Sequence, residues 1–140
     1  MTGEIFSLMV EHSIVNRLMV GKSFNRDDFL SGCNHSLNSS YGFLKQIFSA
    51  RTMGLFEKVK PKGIHSYLSG IVIGNEIKDG LDNHYKNTSC KDKTIILNGE
   101  KSLCNLYKLA FEMAGVKVML EKKNLVVKGL YQIAQKSFLK

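Results

Sequence analysis

Thr94-Ile95-Ile96-Leu97-Asn98-Gly99-Glu100-Lys101-Ser102-Leu103 opens the stretch, running to Leu120, whose reading decides the fold of this chain. Thr94 to Leu97 is a short continuous apolar run of the kind that forms a buried parallel strand, and Asn98-Gly99 closes it. Leu103, Leu106, Tyr107, Ala110, Phe111 and Ala114 then recur at helical spacing until Gly115 stops the pattern. Val116 to Leu120 reads as a second strand. Thr94 to Leu120 is therefore expected to be a strand, helix, strand unit with a parallel crossover.

Working outward, Leu125 to Phe138 is expected to be a helix, weakened at its start by Val126, Val127 and Gly129. On the other side, Asp82 to Lys93 is polar, lysine-rich and aperiodic, so it reads as a flexible loop and an internal boundary. Before it, Ile64 to Leu81 is the strongest helical segment of the first half. Ser66, Gly70 and Gly74 form a small-residue stripe there that admits another backbone closely. Phe43 to Met53 predicts a helix ended by Gly54. Asn25-Arg26-Asp27-Asp28 begins another, with Phe29, Cys33 and Leu37 at four-residue steps and Gly32 as a weak point. Ser13 caps a short piece through Met19, and the opening residues form a helix starting near a Thr2 cap with Glu4 in its first turn. The expected architecture is one α/β domain over 1–140, helix-rich with a small, at least partly parallel sheet. Residues 1–81 form its mainly helical part and 94–140 a strand-helix-strand-helix part.

The composition, 44% hydrophobic and 23% charged over 140 residues, is that of a globular domain able to bury a core. No run approaches the roughly 18 to 20 apolar residues of a membrane span, and the first ten residues carry no signal pattern, so a cytoplasmic location is expected. Cys33, Cys90 and Cys104 are an odd, widely spaced set, which fits free thiols rather than a disulfide framework or zinc site. Twenty basic against twelve acidic residues leave a charge of +8, which attracts polyanions. The lysines are scattered without interleaved aromatic residues, so they read as a solvated rim rather than a nucleic-acid face.

A strand that ends in glycine and feeds a helix is a common nucleotide site, because the missing side chain permits close approach beside free N–H groups. Asn98-Gly99-Glu100-Lys101-Ser102 has that form without being a Walker motif or a three-glycine fingerprint. His12, His35, His65 and His84 lack metalloprotease spacing, and no serine sits in a nucleophile elbow. Glu76 and Asp79 read as solvated or capping groups. Arg51, set among apolar residues, requires an anionic or carbonyl partner.

Four segments together resemble the 2-dehydro-3-deoxygalactonokinase family in order and approximate spacing. They are Met1 to Phe6 with Glu11-His12-Ser13-Ile14; Phe48 to Leu55; Ser66 to Glu76; and Ile96-Leu97-Asn98-Gly99 with Ser102-Leu103-Cys104. The resemblance implies an actin-like, ribonuclease H-like kinase fold in which two α/β domains close over ATP and a sugar acid. It also implies magnesium and transfer of the γ-phosphoryl group to 2-dehydro-3-deoxy-galactonate. The match begins near the middle of the family pattern, so the first phosphate-binding hairpin and most sugar contacts belong to an N-terminal half. A chain with one wall of the cleft is expected to be inactive alone, because phosphoryl transfer depends on positioning and charge stabilisation. The resemblance assigns an adenine-side role to Gly99, Glu100 and Ser102, faced by Ser69, Gly70 and Gly74. It assigns no catalytic residue and no metal ligand in this chain. A partner N-terminal half is implied, whereas a homodimer partner would accompany the alternative reading. The alternative is a non-catalytic α/β binding or assembly module derived from the kinase fold.

Overall fold

The computed structural model describes residues 1–85, 94–121 and 125–138. The helix α1 spans Thr2–His12, and a short 3-10 turn follows at Asn16–Leu18. Three helices come next, α2 over Arg26–Asn38, α3 over Phe43–Leu55 and α4 over Ile64–Gly80. The last runs into a π-helical turn at Leu81–Tyr85. The second part consists of β1 over Ile95–Leu97, α5 over Lys101–Met113, β2 over Val118–Leu120 and α6 over Leu125–Phe138. The two strands are parallel, with Ile95 beside Val118 and Leu97 beside Leu120, joined through α5 as the spacing predicts. The architecture is thus helix-rich α/β with a small parallel sheet.

Helix α4 is the axis of the molecule. Every residue from Ser66 to Gly74 is buried, because the segment is apolar or small on all sides and therefore has no face for water. One core cluster gathers Val10, Val15, Ile47, Ala50 and Val59 around Ile64, Leu68, Ile71 and Val72. A second joins Ile73 and Ile77 to Phe29 and Cys33 of α2 and to Ala110 of α5. Opposite turns of one helix therefore bind the helical part to the strand-bearing part.

The crossing of α2 and α4 is set by paired glycines. A Cβ on Gly70 would lie 2.1 Å from the Phe29 carbonyl oxygen, and one on Gly32 would lie 2.1 Å from that of Tyr67. Gly32 is the contact point of α2 rather than a weakness in it. Its conformational cost, about 1 kcal/mol relative to Ala, is offset by the packing it permits. A buried polar bridge lies at the same contact: the Ser36 hydroxyl reaches the Ile71 carbonyl at 2.9 Å and also bonds to the Gln46 side chain. Gln46 in turn donates to the Tyr41 carbonyl at 2.6 Å.

Local signals account for most boundaries. The Asn25 side chain accepts from the Asp28 N–H at 3.0 Å, which caps α2. At the end of α5, Gly115 takes a φ of +74° while its N–H meets the Glu112 carbonyl and that of Val116 meets Phe111, the double bond of a Schellman turn. Gly54 lies inside α3, one residue before its end, and the Ile64 side chain occupies the space beside it.

Three expectations are corrected. The helix α1 begins at Thr2 with Met1 in the capping position and no side-chain cap, so Thr2 is not the cap. Residues 82–85 continue α4 as a π-helical turn, held in part by the Asn83 amide donating to Asp79 at 2.7 Å; residues 86–93 of the expected loop lie outside the described residues. The strands are half-buried on one face and exposed on the other, for Ile96 and Met119 are 59% and 60% exposed. Arg51 does find a carbonyl partner, donating to Ile14 at 3.1 Å.

The glycine contact predicts opposite outcomes for one substitution at two places. Gly70→Ala forces a methyl group against backbone that cannot rotate aside, so it should lower stability by about 1–3 kcal/mol. Gly3→Ala, with nothing within 4 Å, should leave stability unchanged or raise it by up to about 1 kcal/mol. Urea denaturation of both variants measures the difference.

Candidate functional site

The exit of β1 brings together Gly99, Glu100 and the first two residues of α5, Lys101 and Ser102. Gly99 is exposed, and its φ lies outside the left-handed region that favours glycine. A Cβ there would meet only the Cys104 Sγ, at an ordinary 3.5 Å. The fold therefore does not demand glycine at this position. What its absent side chain leaves is open space over the strand exit.

That space is a groove of about 240 Å³ lined by Leu97, Asn98, Gly99, Glu100, Leu103, Cys104 and Tyr107. Leucine and tyrosine side chains dominate its wall, which suits a flat, weakly polar ligand better than a phosphate. Tyr107 is anchored from the far side, where its hydroxyl donates to the Glu76 carboxylate of α4. Burial, followed by that carboxylate, pushes the Tyr107 phenol above its ordinary pKa, so it stays a neutral donor. Glu76 thereby acts as a tie between α4 and α5.

Glu100 and Ser102 turn inward on one another. The Glu100 carboxylate occupies the N-terminus of α5, accepting from the Ser102 N–H at 3.0 Å, the Leu103 N–H at 2.9 Å and the Ser102 hydroxyl. Those bonds, the hydroxyl first, hold its pKa down to about 2. The expected free N–H groups are consequently taken by a resident anion, and a second anion would be repelled there. Ser102 does not line the groove.

Ser69, Gly70 and Gly74 lie elsewhere. Ser69 is buried on α4, and Gly70 and Gly74 face Phe29, Cys33 and Ser36 of α2 rather than the groove. The physical reason is the close helix crossing, which fills the space beside both glycines with backbone. Sequence reasoning placed Leu103 and Tyr107 in a core stripe and so missed them as groove residues. Their apolar character marks either role, and Glu76, the partner that sets Tyr107 at an edge, lies 31 residues away on α4, beyond the reach of a local pattern.

A second, polar cleft of about 340 Å³ lies between the end of α2, the start of α3 and the end of α4, lined in part by Tyr41, Gln46, Asn75, Lys78 and Asp79. The Lys78 ammonium donates to the Ser39 carbonyl within it. Among the described residues no three His, Cys, Asp or Glu side chains are placed to hold a metal ion. Cys33 is fully buried with its thiol pushed up to about 12, which leaves it unreactive, whereas Cys104 is half-buried at the groove. No helix among the described residues is long and apolar enough to cross a membrane.

Comparison with known proteins gives a consistent result. The family model for 2-keto-3-deoxy-galactonokinase matches residues 1–133. The chain is 27% identical over 118 residues to the 2-dehydro-3-deoxygalactonokinase of Escherichia coli K12, covering 84% of this chain and 38% of that protein. It superposes with a TM-score of 0.82 on a crystal structure from Sinorhizobium meliloti, described as a candidate 2-dehydro-3-deoxygalactonokinase. That match has 24% identity and covers 99% of this chain and 46% of the other, a likeness of fold. The chain thus spans less than half the length of both.

The capped carboxylate generates a pH prediction. Because its folded pKa lies below the ordinary 4.5, the stabilisation Glu100 provides is complete above about pH 4.5 and is lost as the pH falls toward 2. NMR titration of the Glu100 side chain should show a midpoint near 2, and Ser102→Ala should move that midpoint upward toward 4.5.

Proposed function

Because this chain belongs to the 2-keto-3-deoxy-galactonokinase family, we propose that it forms the adenine-side part of a sugar-acid kinase that transfers the γ-phosphoryl group of ATP to 2-dehydro-3-deoxy-galactonate. The single observation that carries the adenine assignment is Gly99. It stands at a strand exit, exposed, with no conformational need for glycine, above an apolar groove. Leu97 and Leu103 flank the base in this reading, and Tyr107 is held as an edge by Glu76.

The Glu100 cap orients the ligand by exclusion. With a carboxylate already bound to the first N–H groups of α5, the triphosphate is directed away from that helix toward a facing wall. In this reading Glu100 and Ser102 shape the groove mouth through their mutual bond, and Ser69, Gly70 and Gly74 hold α4 behind it. Magnesium would supply charge neutralisation on the phosphates, and in this reading its protein ligands belong to the facing wall.

The layered β1-α5-β2 unit on a helical part supports the actin-like, ribonuclease H-like class, with residues 1–140 acting as one domain. The facing wall and the sugar-acid contacts come from an N-terminal half, and the chain alone does not turn over. The location is the cytoplasm. The family match favours this reading over a non-catalytic module.

Calorimetry and NMR with adenosine, AMP and ATP test the assignment. The isolated chain should bind all three with similar, weak affinity, on the order of 1 mM, because it holds only the base. Gly99→Val should weaken each by about tenfold or more while leaving the melting temperature within about 2 °C. A strong preference for ATP over adenosine, or equal binding by Gly99→Val, would place the nucleotide elsewhere.

A further inference from the structure

A base is told from its analogues by the polar side chains that face its edge with hydrogen-bonding capacity unspent, and the groove at the β1 exit has little of it. Of its seven lining residues, Leu97, Gly99 and Leu103 carry no polar side-chain atom, and Cys104 brings only a weakly polar thiol. Glu100 and Tyr107 are committed inside the protein. The Glu100 carboxylate sits on the Ser102 and Leu103 N–H groups of its own helix, and the Tyr107 hydroxyl donates to Glu76. Asn98 is left. It is exposed, and among the described residues its side-chain amide has no hydrogen-bond partner.

An amide carries an acceptor oxygen and two N–H donors at the end of a rotatable bond. Turned one way it accepts from the 6-amino group of adenine, and turned the other way it donates to the 6-oxo group of guanine or hypoxanthine. No hydrogen bond fixes which end of the Asn98 amide points inward. The apolar wall of Leu97 and Leu103 meets the fused ring that all purines share.

We propose that the groove takes a purine by the shape of its ring and leaves the 6-position unselected, with Asn98 as the adaptable contact, so that the phosphoryl donor is a purine nucleoside triphosphate of the 6-amino or 6-oxo kind rather than ATP alone. The inference rests on the nucleotide site proposed above and widens the class of ligand it takes. A site with buried polar groups fixed against one base edge rejects the wrong edge by about 10⁴-fold or more, because the mismatch leaves those groups unpaired. Here the contact is exposed and works in either sense, and water satisfies the amide when the base does not. The purines therefore differ by no more than about fivefold.

Binding of AMP, IMP and GMP to the full 140-residue chain, followed by NMR through the Gly99 and Leu103 amide signals, provides the test. The three share one phosphate, so a difference between them comes from the base. Their affinities should agree within about fivefold. Gly99→Val should weaken all three by about tenfold or more, and Asn98→Ala should weaken all three alike, by about threefold. A spread of more than tenfold between AMP and GMP, with AMP still dependent on Gly99, overturns the inference and leaves the adenine-side assignment standing. An Asn98→Ala chain that loses one purine and keeps another overturns it too, since the amide would then select the edge. GMP binding that survives Gly99→Val puts the 6-oxo purines elsewhere, with the same consequence. The comparison among nucleotides on the unaltered chain decides the matter even if a variant fails to fold. No AMP binding by the unaltered chain removes the nucleotide site itself, and the inference with it.

Discussion

Two backbones touch where α2 crosses α4, and the remainder of the structure is arranged around that contact. Gly32 and Gly70 each remove the one atom that would strike the opposite helix, so Phe29 and Cys33 settle against α4 and the Ser36 hydroxyl reaches the Ile71 carbonyl. Close approach leaves no room for water, and the polar atoms there must be paired within the protein. The Gln46 and Ser36 bridge meets that requirement. Because α4 is gripped along nine consecutive buried residues, its final turns present Ile73, Glu76 and Ile77 to α5 at a fixed height. The groove at the strand exit inherits its depth from this chain of contacts.

The chemistry of that groove follows from what occupies the start of α5. A helix N-terminus with open N–H groups is an anion site; the same terminus capped by a carboxylate is not. Glu100 makes this one the second kind, and its depressed pKa keeps the cap charged at every physiological pH. Under the proposed function the consequence is a division of labour along a nucleotide, with the base in an apolar recess and the phosphates outside it. Such a recess orients a ligand without supplying the charge stabilisation that phosphoryl transfer requires.

Stability is unevenly distributed between the two parts. The helical part closes on itself through its own cluster around Ile64, Leu68 and Ile71, whereas the strand-bearing part rests on the α2 and α4 faces and leaves one side of its sheet uncovered. A two-stranded sheet gains little from its own ladder, so its order depends on α5. Strand β1 has one face toward α5, and its end forms the groove.

The amino-acid sequence by itself determined the order and type of the elements, because hydrophobic period, capping residues and glycine stops are local properties of the chain. Phe43 to Met53, Ile64 to Leu81, Leu103 to Ala114 and the two apolar runs beside them all became the expected helices and strands. The strand exit at Gly99 and the small-residue stripe on α4 were legible for the same reason. Tertiary structure alone decided what those features are for. Gly70 and Gly74 resemble ligand-admitting glycines until α2 is seen filling the space beside them, and Glu100 resembles a ligand contact until its carboxylate is found on its own helix. Leu103 and Tyr107 carry the same helical spacing whether they face a core or a groove. Period reports which residues share a side, and only packing between distant segments reports what stands opposite that side.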